Sequence, residues 1–273
     1  MKVMITGIVG NIGTIVADNI QDDHEVHGVD LKESDRPNTT QIDLADSADD
    51  LAKTFDGIDV VLHLAADIRH EPWIGWNELM RPNIIGTANV YQAADKANVR
   101  RVIFASSFHA VGGYELIEQY KSIVNGNYDG IDQNKVDLVK GLGQDARPDS
   151  EYSASKVFGE SLGKYFAEFE NMEGLVVRVG TVHSDNKPGA DTRSWVSYFS
   201  RNDIGGYFRA CIEKKDVSYD ILYGASNNDW KVYDTPYAYN YLGFQPSDNA
   251  ENYRADSSAP VTLKKYRGRT ISN

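Results

Sequence analysis

Residues 151–160, EYSASKVFGE, place a tyrosine and a lysine one helical turn apart. On a helix, Tyr152 and Lys156 lie on the same face. A free phenol has a pKa of about 10 and is a poor base at neutral pH, but a neighbouring ammonium group favours its ionised form. The pair therefore has the chemistry of a proton acceptor with an electrostatic partner. Because this spacing is common on helices, an ordinary surface contact is the alternative interpretation.

Three glycines follow the first apolar run of the chain, in the segment TGIVGNIG. Gly7, Gly10 and Gly13 lie between a strand predicted over 2–6 and a helix predicted over 12–21. Backbone N–H groups at a helix N-terminus approach a pyrophosphate closely where side chains are absent. A plain glycine-rich turn is the alternative, but the order of strand, turn and helix favours a dinucleotide site.

Two carboxylates follow the glycine turn at the ends of predicted strands. Asp30 ends the strand predicted over 25–30, where a carboxylate accepts the hydroxyls of the adenosine ribose and repels a 2′-phosphate. We therefore expect NAD rather than NADP; capping or turn formation is the alternative role of Asp30. Lys32 and Arg36 lie nearby and leave NADP open. Asp43 ends the third predicted strand, where its side chain is placed to reach the adenine amino group.

The first 181 residues alternate short apolar runs with helical patterns, which is typical of a parallel sheet covered by helices on both faces. We predict an α/β fold with a Rossmann-type doubly wound parallel sheet over 1–181, a small C-terminal substrate-binding portion over 182–250, and a polar tail over 251–273 that is flexible or contacts another subunit. The predicted strands cover 2–6, 25–30, 39–44, 59–66, 100–107, 174–181 and 218–226. The predicted helices cover 12–21, 49–55, 76–98, 200–214 and 237–246, with one more around Tyr152.

The overall composition excludes several classes of protein. A net charge of −12 over 273 residues argues against a nucleic-acid partner, because phosphate backbones favour clustered Lys and Arg. A single cysteine, Cys211, excludes an intramolecular disulfide and a cysteine-based zinc site, and no other cluster has metal-ligand spacing. No stretch approaches the roughly 20 apolar residues of a membrane span, and the first apolar run is too short for a signal peptide. We expect a cytoplasmic protein without a metal or a membrane partner.

Ser106 and Ser107 end the fifth predicted strand, where ligands of α/β sheets bind. Together with the glycine turn and Asp30, they favour the catalytic interpretation of Tyr152 and Lys156. The combined motifs resemble the extended short-chain dehydrogenases/reductases of the NAD-dependent epimerase/dehydratase family over residues 2 to about 181. The resemblance is carried by TGIVGNIG, Asp30, IDLAD, VVLHLAA, NIIGTANV, VIFASS and YSASKVFGE. Four more segments are similar to uronate dehydrogenases and related archaeal sugar and sugar-phosphate dehydrogenases: SSFHAVG, RSWVSYFSRNDI, YGASNND and LGFQPSDNAE.

The resemblance implies NAD as the cofactor, a sugar as the substrate, and a homodimer or higher homo-oligomer as the assembly. It implies that Ser107 orients the substrate hydroxyl, that Tyr152 is the base, and that Lys156 also holds the nicotinamide ribose. The implied cofactor contacts are Gly7, Gly10, Asn11, Ile12, Gly13, Asp30, Leu31, Asp43, Leu44, Leu64, Ala65, Ala66, Asn83 and Lys156. The implied substrate contacts are Ser107, Phe108, His109, Tyr152, Thr181 and Arg193.

Two features of the substrate side depart from the uronate branch. Phe108 precedes His109 where uronate dehydrogenases have asparagine, and their carboxylate-binding arginine falls near Ala190 by counting, with Arg193 three residues on. The connection over 113–150 is also long, as functional or mobile loops are. It is either a lid that supplies a cation for a phosphate or carboxylate, or a surface excursion or oligomer contact, and it contains Lys121, Lys135, Lys140 and Arg147.

The predicted reaction is oxidation of the C1 hydroxyl of an aldose-type sugar to the lactone. The resemblance leaves the sugar open between a uronate and a sugar phosphate such as glucose 6-phosphate. A nucleotide-sugar epimerase or dehydratase, which shares the same catalytic residues, is one alternative. A non-catalytic NAD-binding regulator is the other, although such proteins often lose the tyrosine or the lysine.

Overall fold

A single sheet of seven parallel strands organises the protein, and the computed structural model describes residues 1–69 and 74–256. The strand order is β3-β2-β1-β4-β5-β6-β7, so the chain reverses its direction of winding between β1 and β4. In such sheets ligands bind beyond the carboxyl ends of the strands at this reversal. The predicted doubly wound parallel sheet is confirmed. The strands are β1 Lys2–Thr6, β2 Glu25–Asp30, β3 Thr39–Gln41, β4 Val60–His63, β5 Arg101–Ser107, β6 Glu173–Val179 and β7 Tyr219–Gly224.

Helices cover both faces of this sheet. They are α1 Asn11–Ile20, α2 Ala48–Thr54, α3 Trp76–Leu79, α4 Gly86–Lys96, α5 Glu118–Val124, α6 Glu151–Phe169, α7 Thr192–Ser197, α8 Arg201–Glu213 and α9 Thr235–Leu242. Short 3-10 helices cover Phe108–Leu116, Gln133–Lys135 and Ala250–Asp256. Within the described residues, no helix is long and apolar enough to cross a membrane.

Several predicted elements differ from the observed ones: the strand predicted over 59–66 ends at His63, and α5 and α7 were not predicted. The helix predicted over 76–98 is broken by a π-helical segment, Met80–Ile85, which contains Pro82 and therefore lacks one backbone N–H for the regular ladder. The strand predicted over 39–44 ends at Gln41, because the side chain of Asp43 accepts a hydrogen bond from the backbone N–H of Ala45 and starts a turn. The predicted tail beyond Asp256 lies outside the described residues.

The sheet is buried on both faces, as expected for parallel strands. Alternate residues of β1 divide between the two faces: Val3 and Ile5 pack with α1 and α8, whereas Met4 packs on the side of α2, α4 and α6. The longest helix, α6, lies against β5 and β6 on the second face. This packing sets the position of Tyr152 and Lys156 relative to the carboxyl end of β5.

The long connection after β5 is folded onto the body of the protein. Phe108, Tyr120 and Val139 share an apolar cluster with Tyr223 and Tyr233. Val139 and Tyr233 also form a parallel bridge of backbone hydrogen bonds. The carboxyl end of β5 is therefore bounded by a packed wall formed from this connection and the region around β7.

Candidate active site

The predicted catalytic residues converge at the carboxyl end of β5. The hydroxyl of Ser150 caps α6 by accepting a hydrogen bond from the backbone N–H of Ser153, so the helix begins just before Tyr152. The Lys156 ammonium donates to the backbone carbonyl of Ala105 at 2.9 Å. Ser107 is hydrogen-bonded to the Tyr152 side chain. The structure thus brings Ser107, Tyr152 and Lys156 together, and their catalytic roles remain predictions.

Burial governs the protonation of this pair. It raises the pKa of Tyr152 to about 12, against the opposing effect of the Ser107 hydrogen bond. It lowers the pKa of Lys156 to about 8, because a buried ammonium loses hydration, while Glu160 acts in the opposite direction. The sequence had suggested that the ammonium lowers the phenol pKa. Desolvation is the largest influence on the pKa of Tyr152 here, and the positive nicotinamide of bound NAD⁺ would favour the phenolate.

The glycine turn is shaped by its own packing. A Cβ on Gly13 would lie 2.3 Å from the carbonyl oxygen of Gly7, and Gly7 itself has a φ of +73°. Gly10 precedes α1, whose uncharged first turn begins with Asn11 and Ile12. The N-terminus of a helix favours an anion, so this turn can hold a pyrophosphate.

The two carboxylates predicted to contact the adenosine half lie beside this turn. Asp30 accepts hydrogen bonds from the backbone N–H groups of Val9 and Lys32, each at 3.0 Å. It thereby joins the end of β2 to the glycine turn, next to the exposed Leu31. Asp43 is held by the guanidinium of Arg81 at 2.9 Å. This arginine was missed in the sequence, because nothing local connects the π-helix to the end of β3.

The last residue of β4, His63, is buried next to the loop that follows this strand. His63 Nδ1 is 2.7 Å from the hydroxyl of Thr6, and its Nε2 is 3.1 Å from that of Thr87. The Thr6 hydroxyl also accepts from the backbone N–H of Ala65 at 3.2 Å. This contact fixes the middle residue of the predicted cofactor-flanking segment, which consists of Leu64, Ala65 and Ala66. Burial, together with the charge of Lys156, lowers the pKa of His63 to about 3.

The low pKa of His63 makes the folded protein sensitive to acid. Unfolded histidine takes up a proton near its ordinary pKa of 6.5, whereas His63 in the fold does so only near 3. The unfolded state therefore binds more protons between these values, and the free energy of unfolding falls as pH falls, by about 1.4 kcal/mol per pH unit. His63→Asn should weaken this dependence, measured by urea unfolding at pH 6 and pH 5. If the free energy of unfolding depended on pH as strongly in His63→Asn as in the natural protein, His63 would not be the source of this dependence.

Asn83 links three elements around the site. Its side chain accepts from the backbone N–H of Asp67 at 2.7 Å and donates to the Asp67 carbonyl at 2.9 Å. It also donates to the hydroxyl of Ser155 on α6 at 3.0 Å. Asn83 lies in the π-helical segment, a type of distortion found frequently at functional sites. The structure therefore places it as a support for the loop after β4, near the predicted cofactor site.

The predicted substrate residues occupy different environments. Phe108 is buried against the rings of Tyr223 and Tyr233, with centroid distances of 5.4 Å and 4.4 Å. The Thr181 hydroxyl is 2.7 Å from that of Ser197. Both oxygens of Glu115 accept from Nε of Arg193, at 2.7 Å and 2.8 Å.

Glu115 belongs to a buried polar group that the sequence did not reveal. The carboxylate also accepts a hydrogen bond from the Tyr233 hydroxyl. Its side chain is 1% exposed, so two charged groups are paired away from water. Arg193 is thus already neutralised by a carboxylate of the protein itself.

The chain is similar in sequence and in structure to known proteins. The profile of the NAD dependent epimerase/dehydratase family matches residues 3–206. The NAD-dependent glucose-6-phosphate dehydrogenase of Haloferax volcanii is 32% identical over 92% of this chain and 95% of its own. The uronate dehydrogenase of Agrobacterium fabrum is 29% identical over 93% of this chain and 87% of its own. A mutant uronate dehydrogenase from Agrobacterium tumefaciens, solved in complex with NAD, is 27% identical with a TM-score of 0.77, over 96% of this chain and 91% of that one.

Proposed function

The chain belongs to the NAD dependent epimerase/dehydratase family, and from this premise we propose that it oxidises the C1 hydroxyl of an aldose-type sugar to the lactone. The predicted family and NAD as the cofactor are thereby confirmed. The convergence of Ser107, Tyr152 and Lys156 at the carboxyl end of β5 carries the proposal. A regulator that only bound NAD would have no need of a buried base with a buried lysine beside it.

Each catalytic residue has a distinct part in this reaction. Tyr152 takes the proton of the C1 hydroxyl, and Ser107, hydrogen-bonded to the phenol, orients that hydroxyl. Lys156, fixed by the carbonyl of Ala105, would hold the nicotinamide ribose of bound cofactor, and its charge favours the phenolate. Bound NAD⁺ supplies the hydride acceptor. The hydrogen of the C1–H bond would leave as hydride to that acceptor, the ionised oxygen of Tyr152 takes the O–H proton, and C1 becomes the carbonyl carbon of the lactone.

The environment of Asp30 supports NAD over NADP. Its carboxylate lies beside the glycine turn, where it favours ribose hydroxyls and repels a 2′-phosphate. Arg36, one of the cations that left NADP open, is paired with Asp18 on α1. Its guanidinium is thus already engaged by a carboxylate.

Removing the negative charge of Asp30 should shift this preference. Val9 and Lys32 donate to different oxygens of Asp30, so Asp30→Asn keeps an acceptor for one of these backbone N–H groups, and it no longer repels a phosphate. We expect the ratio of kcat/KM with NAD to that with NADP to fall about tenfold or more, since about 1.4 kcal/mol corresponds to a factor of ten. Steady-state kinetics with both cofactors measures the ratio, and an unchanged ratio would assign Asp30 to turn formation alone.

The sugar is a uronate or a sugar phosphate such as glucose 6-phosphate. Glu115 binds Nε of Arg193 and neutralises its charge, which argues against Arg193 as the group that holds a uronate carboxylate or a phosphate. The relative named for glucose 6-phosphate matches nearly the whole of both chains. The higher identity to this relative, 32% against 29% for the uronate dehydrogenase, is the observation that favours the sugar phosphate.

The substrate can be identified by following NADH formation with glucose 6-phosphate, glucose, glucuronate, galacturonate and UDP-glucose. Turnover of glucose 6-phosphate or a uronate, with the lactone as product, supports the proposal. Conversion of UDP-glucose to another UDP-sugar without net NADH formation, followed by NMR, together with no oxidation of the free sugars, would contradict it and favour the epimerase or dehydratase alternative. Tight NAD binding without turnover of any sugar would favour the regulator.

We also propose a cytoplasmic homo-oligomer in which residues 182–250 contribute much of the substrate side. Large apolar side chains are exposed along α3 and the π-helical segment, at Trp76, Met80 and Ile85. Tyr165 and Phe169 are exposed on α6. Pairing of these two helical faces between copies would cover them, and light scattering in solution would measure the resulting mass.

A further inference from the structure

Asp149 is a buried carboxylate that the mechanism above does not use. It directly precedes Ser150, the N-cap of α6, and its side chain is 3% exposed. One carboxylate oxygen lies 2.7 Å from Nδ1 of His109, and the other accepts from the Ser150 hydroxyl at 3.2 Å. A carboxylate this deeply buried requires partners, and the imidazole is the partner nearest to the candidate base.

His109 lies between Asp149 and the base. Its ring is 6.2 Å from the ring of Tyr152, centroid to centroid, and nearly perpendicular to it. Its backbone N–H donates to the hydroxyl of Ser107 at 3.2 Å. One residue therefore contacts the predicted serine through its backbone and faces the predicted base with its side chain.

The backbone is built to bring these groups together. Two hydrogen bonds tie the segment after His109 to Arg147: the N–H of Gly113 donates to the Arg147 carbonyl at 2.8 Å, and the Arg147 N–H donates to the Ala110 carbonyl at 3.0 Å. A Cβ on Gly112 would lie 2.2 Å from the Asp149 oxygen that bonds His109. Glycine at this position leaves the space that the carboxylate occupies.

We propose that Asp149 is a positioning residue that fixes the tautomer of His109, so that His109 accepts a hydrogen bond from the sugar hydroxyl next to the reacting carbon. This inference rests on the proposed function. A carboxylate at Nδ1 holds the proton on that nitrogen and leaves Nε2 as the acceptor. A sugar hydroxyl is the matching donor. The hydroxyl at C2 is adjacent to C1, where the reaction occurs.

Substitution of Asp149 by asparagine tests the role of its charge. Asparagine has nearly the same volume, but its amide can turn and donate to Nδ1, which favours the other tautomer. We expect Asp149→Asn to lower kcat/KM for the sugar about 10- to 100-fold, as the loss of such supporting partners does elsewhere. The melting temperature and the Kd for NAD should change little. Asp145→Asn, an exposed aspartate in the same connection, is the matched control and should leave kcat/KM unchanged.

A double-variant cycle separates positioning from a purely structural role. If Asp149 acts through His109, the double variant Asp149→Asn/His109→Ala loses no more activity than His109→Ala alone. With the 2-deoxy analogue of the best substrate, Asp149→Asn and the natural protein should have nearly the same kcat/KM. Multiplicative losses in the double variant, or an equal loss with the 2-deoxy sugar, would overturn the proposal.

The tautomer can also be measured without any substrate. Nitrogen-15 NMR of labelled histidine should show the proton of His109 on Nδ1 in the natural protein and a changed pattern in Asp149→Asn. A proton on Nε2 alone in the natural protein would overturn the proposal. If the tautomer is as expected but no sugar is oxidised, the proposed function fails while the positioning by Asp149 stands.

Discussion

Tyr152→Phe is expected to lower kcat by about 10²- to 10⁴-fold, the usual contribution of a positioned general base. The substitution removes only the phenolic oxygen, so the buried ring keeps its packing beside His109. Burial raises the pKa of Tyr152 to about 12, so the phenol must first lose its own proton to become a base. Phenylalanine has no oxygen that could accept the proton of the sugar hydroxyl. The Kd for NAD should stay nearly constant, measured by calorimetry alongside steady-state kinetics.

A matched control for this variant is Tyr165→Phe on the same helix. Tyr165 is exposed, and its hydroxyl donates to Glu170 at the surface. The variant Tyr165→Phe should keep full activity. Activity retained in Tyr152→Phe would reject the assignment of the base, whereas loss of NAD binding would show that the variant acts on cofactor binding rather than on proton transfer.

Arg178→Met is expected to lower the free energy of unfolding by about 3–5 kcal/mol, because it leaves a buried carboxylate without its countercharge. Arg178 donates to both oxygens of Glu160, at 2.9 Å and 2.8 Å. Its other terminal nitrogen donates to the Tyr223 hydroxyl at 2.9 Å. Ser106 donates to Glu160 at 2.5 Å. The substitution therefore breaks a network that joins β5, α6, β6 and β7.

The same helix provides the comparison for this prediction. Lys164 and Glu168 form an ion pair on α6 whose side chains are about half exposed, and Lys164→Met should cost no more than about 0.5 kcal/mol. Urea unfolding measures both variants. The double variant Glu160→Gln/Arg178→Met removes both charges and should recover part of the loss. A cost below about 1 kcal/mol for Arg178→Met would mean that the pair is not desolvated as the structure indicates.

Local spacing in the sequence was sufficient to find the residues that act within one turn or one helix. The glycine turn and the pair Tyr152 and Lys156 were found this way, because each lies in a short contiguous segment. Ser107 followed from its place at a strand end, and the structure brings it to Tyr152. The alternation of strands and helices was likewise enough to predict the sheet.

Contacts between distant segments could not be predicted in this way. Glu115 meets Arg193, and Asp149 meets His109, only after the long connection has folded against the region around β7. The protonation of Tyr152 was misjudged for a similar reason, since spacing reveals the neighbouring lysine but not the degree of burial. Pro82, visible inside the helix predicted over 76–98, was the one local signal that was overlooked.

The last strand of the sheet has a consequence for how substrate choice can change in this protein. β7 extends the sheet beyond β6, and the carbonyls of Cys211 and Ile212 at the end of α8 accept from the buried guanidinium of Arg101 on β5. The family match ends at residue 206, inside α8, although the hydrogen-bonded framework continues past it. The proposed substrate-binding portion is therefore not a detachable module. We therefore expect substitutions in this portion to change the free energy of unfolding of the whole sheet as well as the choice of sugar.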